Sequence, residues 1–448
     1  MAKRYDVIVV GAGPAGLLAA KTAGENGFEV ALLERKNDLT VLDRASGGSL
    51  LSANEYLHHD LYRCNVRDKR ICFPAHGFSV KYDGPYRSVC ATHFYSPSGN
   101  RIESGVVEEQ KKKGDYGKVT SRVDLEVLLR CLLEEARACS VDVFPGINVE
   151  KVTSTADGVT VEGSGQSFEG RYVIAADGVN SRTAEVMGFN KERTYYCQLR
   201  ALTRYVSGVE PPELDATATV FGLTKDGPAW LLVFPRPAEG EHARLVFTID
   251  PRVDLEAAEN YFTKEAFCAS WFKNAKILGT LSANENCYSP IVEPYKDRVL
   301  VIGDASATQE VEITGSMISG WKAGHAISLA LQEENLGLAV TATSQYVNWW
   351  KEAYVNYYGS DAYMKNLALP FILTEPEEID YLYSLIKEPI RPCFNPYTMS
   401  KYLGRAMRKI MPTLQQNRPE IVQKLVEKMA LPFTEIIADV TKISKPVS

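Results

Sequence analysis

The sequence lacks any apolar run near the roughly 18 residues needed to cross a bilayer. It also lacks a basic–apolar–small leader before the first strand-like run at Tyr5. A cytoplasmic protein is expected, with at most peripheral contact to a membrane. No C-x-x-C pair occurs, and the nine cysteines are an odd, scattered set. Zinc and iron–sulfur centres therefore have no ligand cluster, and the cysteines read as free thiols. The six histidines show no H-E-x-x-H or other metal spacing. His58-His59 reads as surface or pocket rim, and no metal is expected. Basic excess is missing too. A formal net charge of −6 argues against nucleic acid, which calls for a basic face. No Ser-His-Asp arrangement or paired-carboxylate motif suggests hydrolysis, and there is no internal repeat or low-complexity tract. What remains is a 448-residue chain of ordinary globular composition, long enough for two or three domains around a large ligand.

The chemistry is concentrated in Gly11-Ala12-Gly13-Pro14-Ala15-Gly16. This G-x-G-x-x-G sits between the apolar run Val7-Ile8-Val9-Val10 and a helix start at Leu17-Leu18-Ala19-Ala20. Gly11 permits the tight turn, Gly13 lets the backbone approach a pyrophosphate, and Gly16 lets helix and strand pack closely. The helix N-terminus offers unpaired N–H groups to the phosphates. A second strand, Val30-Ala31-Leu32-Leu33, ends in Glu34-Arg35, placing an acid where adenosine ribose hydroxyls are bound. A dinucleotide is expected here. No second G-x-G-x-x-G follows a strand, so there is no separate nicotinamide domain.

Two further strand ends decide which dinucleotide. Tyr172-Val173-Ile174-Ala175-Ala176-Asp177-Gly178 ends in Asp-Gly, and Arg298-Val299-Leu300-Val301-Ile302-Gly303-Asp304 ends in Gly-Asp. In order and spacing, over roughly residues 5–330, this trio resembles the flavoprotein monooxygenase and geranylgeranyl reductase superfamily of para-hydroxybenzoate hydroxylase type. The resemblance implies FAD, with Asp304 on the ribityl chain and Asp177-Gly178 near the pyrophosphate. It also implies that Arg44 and Arg122 lie near the cofactor, Arg122 at the start of a helix carrying Leu125, Leu128, Leu129 and Leu132. After Asp304, the segment Ile313-Thr314-Gly315-Ser316-Met317 through Gly324 looks like the glycine-rich turn and helix of geranylgeranyl reductases. That turn faces the pyrimidine end of the flavin, where helix N–H groups stabilise the anionic reduced ring; plain close packing is the other reading. Hydroxylases usually have a proline just before these glycines. This chain has Glu310-Val311-Glu312, two acids that either tune the flavin or face water.

The resemblance extends to the substrate side. Gly227-Pro228-Ala229-Trp230-Leu231-Leu232-Val233-Phe234-Pro235 is similar to the reductases' Y-x-W-x-F-P strand, which lines a lipid channel, and half matches the halogenases' W-x-W-x-I-P. Alternation puts Trp230, Leu232 and Phe234 on one face, as pocket wall or plain core. In Arg44-Ala45-Ser46-Gly47-Gly48, Ser46 stands where the reductases have a cysteine near the flavin. The implied activity is FAD-dependent reduction of a carbon–carbon double bond in an apolar, isoprenoid or other lipid-like substrate. Ser46, Trp230 and Phe234 are the candidate catalytic residues, with Gly47 and Gly48 beside the cofactor. Reduced ferredoxin or NAD(P)H would supply electrons. The alternatives are a monooxygenase or halogenase acting on an aromatic substrate through a flavin hydroperoxide and, less favoured, a non-catalytic lipid carrier.

The expected fold is α/β. A discontinuous Rossmann-like FAD domain spans residues 1–85, 117–190 and 285–340, and a mixed or antiparallel β-sheet substrate domain spans 86–116 and 191–284. A helical region covers 341–448, opened by Tyr346, Trp349, Trp350, Tyr354 and Tyr357 at helical spacing. Pro370, Pro389, Pro392, Pro396, Pro412 and Pro432 are expected to cut it into short helices.

Overall fold

The structure, a computed structural model, describes residues 3–51, 61–356 and 361–446. His58, His59 and Tyr357 lie outside the described residues. The strand Arg4–Val10 runs parallel to Val30–Glu34 on one side and to Gln166–Ala175 on the other. Asp142–Pro145 extends the sheet beyond Val30–Glu34, and Val299–Val301 pairs in parallel with the end of Gln166–Ala175. Period-2 alternation divides the central strand between two cores. Val7 and Val9 pack under the helices Pro14–Glu25, Leu125–Ala138 and Glu312–Asn335. Ile8 and Val10 pack against Val159, Val161 and Phe168 on the other face. Burial on both sides explains why the strand reads as an unbroken apolar run.

A second, seven-stranded sheet has the order Lys276–Tyr288, Tyr195–Ser207, Glu241–Thr248, Gly227–Pro235, Ala216–Thr224, Ala91–Tyr95, Arg101–Ser104. Its pairs are antiparallel except Ala216–Thr224 with Ala91–Tyr95, so the sheet is mixed. The sequence boundary at 284/285 falls inside the strand Lys276–Tyr288. Residues 86–89, grouped above with the substrate sheet, pair instead with Thr120–Val123 in a three-stranded sheet that includes Ser49–Leu51. Strand partners distant in sequence leave no local mark, so such edges cannot be read from composition.

Three local expectations are corrected. Arg122 does not open a helix: it lies in the strand Thr120–Val123, and the helix begins at Leu125 behind Asp124. The Asp124 carboxylate accepts from the Glu126 and Val127 N–H groups, which makes it the N-cap. Second, Gly315, Ser316 and Met317 are not in a turn but inside the helix Glu312–Asn335. Third, Pro412 does not break the tail; it lies within the helix Pro396–Asn417. Its position is exposed, so water can satisfy the carbonyl it leaves unpaired. The tail is anchored where the Trp350 indole N–H donates to the Ile291 carbonyl at 2.7 Å and stacks on Tyr354, ring centres 4.4 Å apart. All nine cysteines are free thiols.

The helices Pro14–Glu25 and Glu312–Asn335 touch backbone to backbone. A Cβ on Gly320 would stand 2.2 Å from the Ala15 carbonyl oxygen. Gly320→Ala should therefore force these helices apart and lower stability by about 1–3 kcal/mol, read from denaturant unfolding of the apoprotein.

Candidate functional site

The glycines of the first turn have three distinct surroundings. Gly11 has φ +97°, and a Cβ there would lie 2.4 Å from the Ala176 carbonyl oxygen. Gly16 is tighter still, 1.9 Å from the Gly11 oxygen. Gly13 differs: a Cβ would meet no protein atom within 4 Å. It is the N-cap of Pro14–Glu25, whose first-turn N–H groups point outward from the same place. Open space over a helix N-terminus suits a pyrophosphate. At the end of the second strand, buried Glu34 accepts from the Ala12 N–H at 2.8 Å and the Lys36 N–H at 2.9 Å. A carboxylate has further lone pairs, so both ribose hydroxyls can still be received. Arg35 is turned to solvent and pairs with Asp43.

The Asp-Gly strand end lies directly against Gly11. The Asp177 carboxylate is engaged by the Ser181 hydroxyl and the Thr183 N–H, so it holds the start of Arg182–Val186. Gly178, with φ +83° and open space at its Cβ position, leaves bare backbone toward a ligand. Asp304 accepts from the Val311 N–H at 2.9 Å and faces Arg44 at 3.5 Å. Arg44 also meets Glu285 at 3.4 Å and Glu310 at 3.7 Å. Three carboxylates thus share one guanidinium. Burial opposes the charge on Arg44, but Glu310, Glu285 and Asp304 outweigh it and raise its pKa. Burial raises the Asp304 pKa, lifts Glu310 well above its ordinary value and pushes Glu312 up to about 7. Glu310 and Glu312, the acids the sequence left between flavin and water, line a cavity, and burial favours their protonated forms.

That cavity measures about 660 Å³. Its lining includes Ser46, Gly47, Glu310 and Glu312, together with Trp230, Leu232 and Phe234. Trp230 is fixed by stacking on Phe247, ring centres 5.1 Å apart. Phe234 lies 4.0 Å from the Arg122 guanidinium, which has Phe394 at 4.8 Å as well. Arg122 donates to the Gly47 carbonyl at 2.8 Å and to the hydroxyls of Ser49 and Thr217. Burial pulls its pKa down to about 10. The cation is tolerated because π faces and neutral oxygens replace water. Arg122 therefore clamps the Gly47–Ser49 loop against the sheet. The Ser46 hydroxyl oxygen accepts from the Gly48 N–H at 3.3 Å. A second cavity, about 290 Å³, shares Ser46, Gly47, Arg122 and Phe234, so these residues form a partition. Gly303, Gly315, Ser316 and Met317 lie in or beside the helix start below Asp304; Ser316 faces Gly303.

The sequence reading missed part of this site. Glu285 and Gln309 are joined by a short hydrogen bond, and Gln309 receives the Tyr363 hydroxyl. The opposite wall comes from the tail, with Met399, Leu403, Met407, Met411 and Met429. The spacing of four among Met399, Leu403, Met407 and Met411 was an available signal, since methionines suit adaptable apolar sites.

Comparisons with known proteins agree with this geometry. The family described as the FAD binding domain matches residues 4–50 and 108–309. The chain is 25% identical to the digeranylgeranylglycerophospholipid reductase of Methanosarcina acetivorans over 91% of its length and 94% of that protein's. Among solved structures, a geranylgeranyl bacteriochlorophyll reductase-like protein from Thermoplasma acidophilum superposes with a TM-score of 0.65 at 16% identity, covering 95% of this chain and 99% of that one. A halogenase gives 0.61 at 13% identity, covering 99% and 98%; both show a shared fold.

Gly13→Val should lower the apoprotein's melting only slightly, since a Cβ there meets no protein atom within 4 Å and the cost is that of a poorer N-cap, but should abolish FAD uptake on titration. Glu312 has a folded pKa near 7 against about 4.3 unfolded. An acid raised in this way destabilises the fold increasingly as pH rises through that interval, fully above it. Glu312→Gln should therefore stabilise the apoprotein at pH 8 by up to about 3 kcal/mol and hardly at all at pH 4, as thermal melts at the two pH values would show.

Proposed function

The chain belongs to the FAD binding domain family and is an FAD-dependent oxidoreductase, and on that premise we propose that it reduces a carbon–carbon double bond in an isoprenoid or other lipid-like substrate. The observation that carries this reading is the cavity: large, mostly apolar, and lined by Ser46, Gly47 and the two acids as well as by aromatic and aliphatic side chains. A site with few polar anchors selects by shape and apolar contact. The names of the relatives, reductases of digeranylgeranyl lipids, support the same substrate class.

FAD, when bound and reduced by an external electron donor, would supply the hydride for one alkene carbon. Gly11, Gly13, Gly16 and Glu34 are the residues that would hold its adenosine diphosphate half, with Asp304 at the ribityl chain. The helix start at Glu312 would lie near the ring. Trp230, Leu232 and Phe234 orient the prenyl chain and exclude water, while Arg122 fixes the Ser46–Gly47 loop from behind. The second alkene carbon needs a proton. Glu310 and Glu312, whose pKa values burial raises, line the cavity with Ser46 and would be the source of that proton; the Ser46 hydroxyl can relay it, although it is a far weaker acid than a thiol. Reduced ferredoxin or NAD(P)H fits as electron donor, since no second dinucleotide turn occurs among the described residues.

The test is anaerobic. Photoreduced protein mixed with a detergent-dispersed polyprenyl lipid should be reoxidised as one double bond is saturated per flavin, and air alone should reoxidise it slowly. Ser46→Ala should slow this step with FAD affinity intact, and Ser46→Cys should speed it. No reaction with the alkene, together with rapid reoxidation by air coupled to hydroxylation or halogenation of an aromatic compound, would replace the reductase reading with an oxygen-using one.

A further inference from the structure

Charge is divided unevenly along this chain. The whole carries −6, yet residues 387–428 hold nine lysines and arginines against three acids. Much of that excess lies on the helix Pro396–Asn417, which contains Lys401, Arg405, Arg408 and Lys409 and no acid. Offsets of four, seven and eight residues put all four on one helix face, and all four are exposed. Arg405 stacks over Tyr402, and Lys409 reaches Glu388 at 2.7 Å across exposed surface. The opposite face, with Met399, Leu403, Met407 and Met411, lines the cavity. The next helix, Pro419–Met429, contributes Val426 and Met429 to the same cavity. These two are also 61% and 41% exposed, so they mark where it opens.

We propose that this basic helix face and the apolar rim beside it dock on the surface of an anionic lipid bilayer, so that the cavity opens toward the membrane. This rests on the lipid-substrate reading above. A basic face beside exposed apolar side chains is the composition of helices that lie in a lipid–water interface. Each lysine or arginine near an anionic surface adds to the attraction, while Val426 and Met429 reach the acyl boundary. A long apolar substrate then passes from bilayer to cavity without crossing water, which would otherwise oppose transfer in proportion to its exposed area. Among the described residues no helix is long and apolar enough to cross a membrane, so the contact is peripheral. An acidic protein partner would match the charge but would not account for the apolar rim.

The experiment is co-sedimentation of the full-length holoprotein with phosphatidylcholine vesicles, with and without phosphatidylglycerol. Binding should require phosphatidylglycerol and fall as salt is raised. The double variant Arg405→Glu/Arg408→Glu should lose at least about tenfold in partitioning. Its flavin absorbance, melting temperature and reduction of detergent-dispersed prenyl lipid should be unchanged. Equal binding to neutral vesicles, no binding at all, or unaltered partitioning of the variant would overturn the proposal. So would a variant that partitions normally but is poorly reduced by an acidic electron carrier, which would make the face a protein dock. Failure to reduce the dispersed lipid would instead strike the functional reading, because vesicle binding is measured without turnover.

Discussion

Backbone meets backbone around Ala15 and Gly16, and the cofactor half of the molecule is arranged by that contact. Gly11 turns under Ala176, Gly16 sits on the Gly11 carbonyl, and Gly320 sits on the Ala15 carbonyl. No side chain fits between these three levels. The first turn, the Asp-Gly strand end and the long helix after Asp304 are thereby brought within a few ångströms of each other. Open space remains where Gly13 and Gly178 face outward. Open space suited to a phosphate is thus left by close packing elsewhere.

Electrostatics divides the adjoining site into two unlike parts. Around Arg44, three carboxylates crowd one guanidinium, and burial with mutual repulsion raises the pKa values of Asp304 and Glu310. Around Arg122, a guanidinium is buried among aromatic rings and neutral oxygens. The first arrangement gathers acids around one cation; the second holds a loop. Ser46 lies between them, on the partition shared by the two cavities.

The apolar cavity is lined by both the mixed sheet and the tail. Aromatic and aliphatic residues of the strand Gly227–Pro235 face methionines of the helix Pro396–Asn417 across it. Flexible thioethers can follow a chain of varying shape. The same helix turns its charged face outward, so one element serves both as cavity wall and as outer surface.

Much of the cofactor half was legible in the sequence because its determinants are local. Gly11, Gly13 and Gly16 are spaced by one turn, Glu34 closes the next strand, and Gly303-Asp304 closes another. Trp230, Leu232 and Phe234 announced a shared face by alternation alone. Other features were hidden for a physical reason. The strand pairing of Tyr86–Val89, the partners of Arg122, the Glu285–Gln309–Tyr363 chain and the methionine wall all join residues far apart along the chain. Sequence determined which backbone turns and faces this protein can form. Only the tertiary structure decided which carboxylates share Arg44 and what closes the cavity over Trp230, because burial and electrostatic coupling depend on distance through space rather than along the chain.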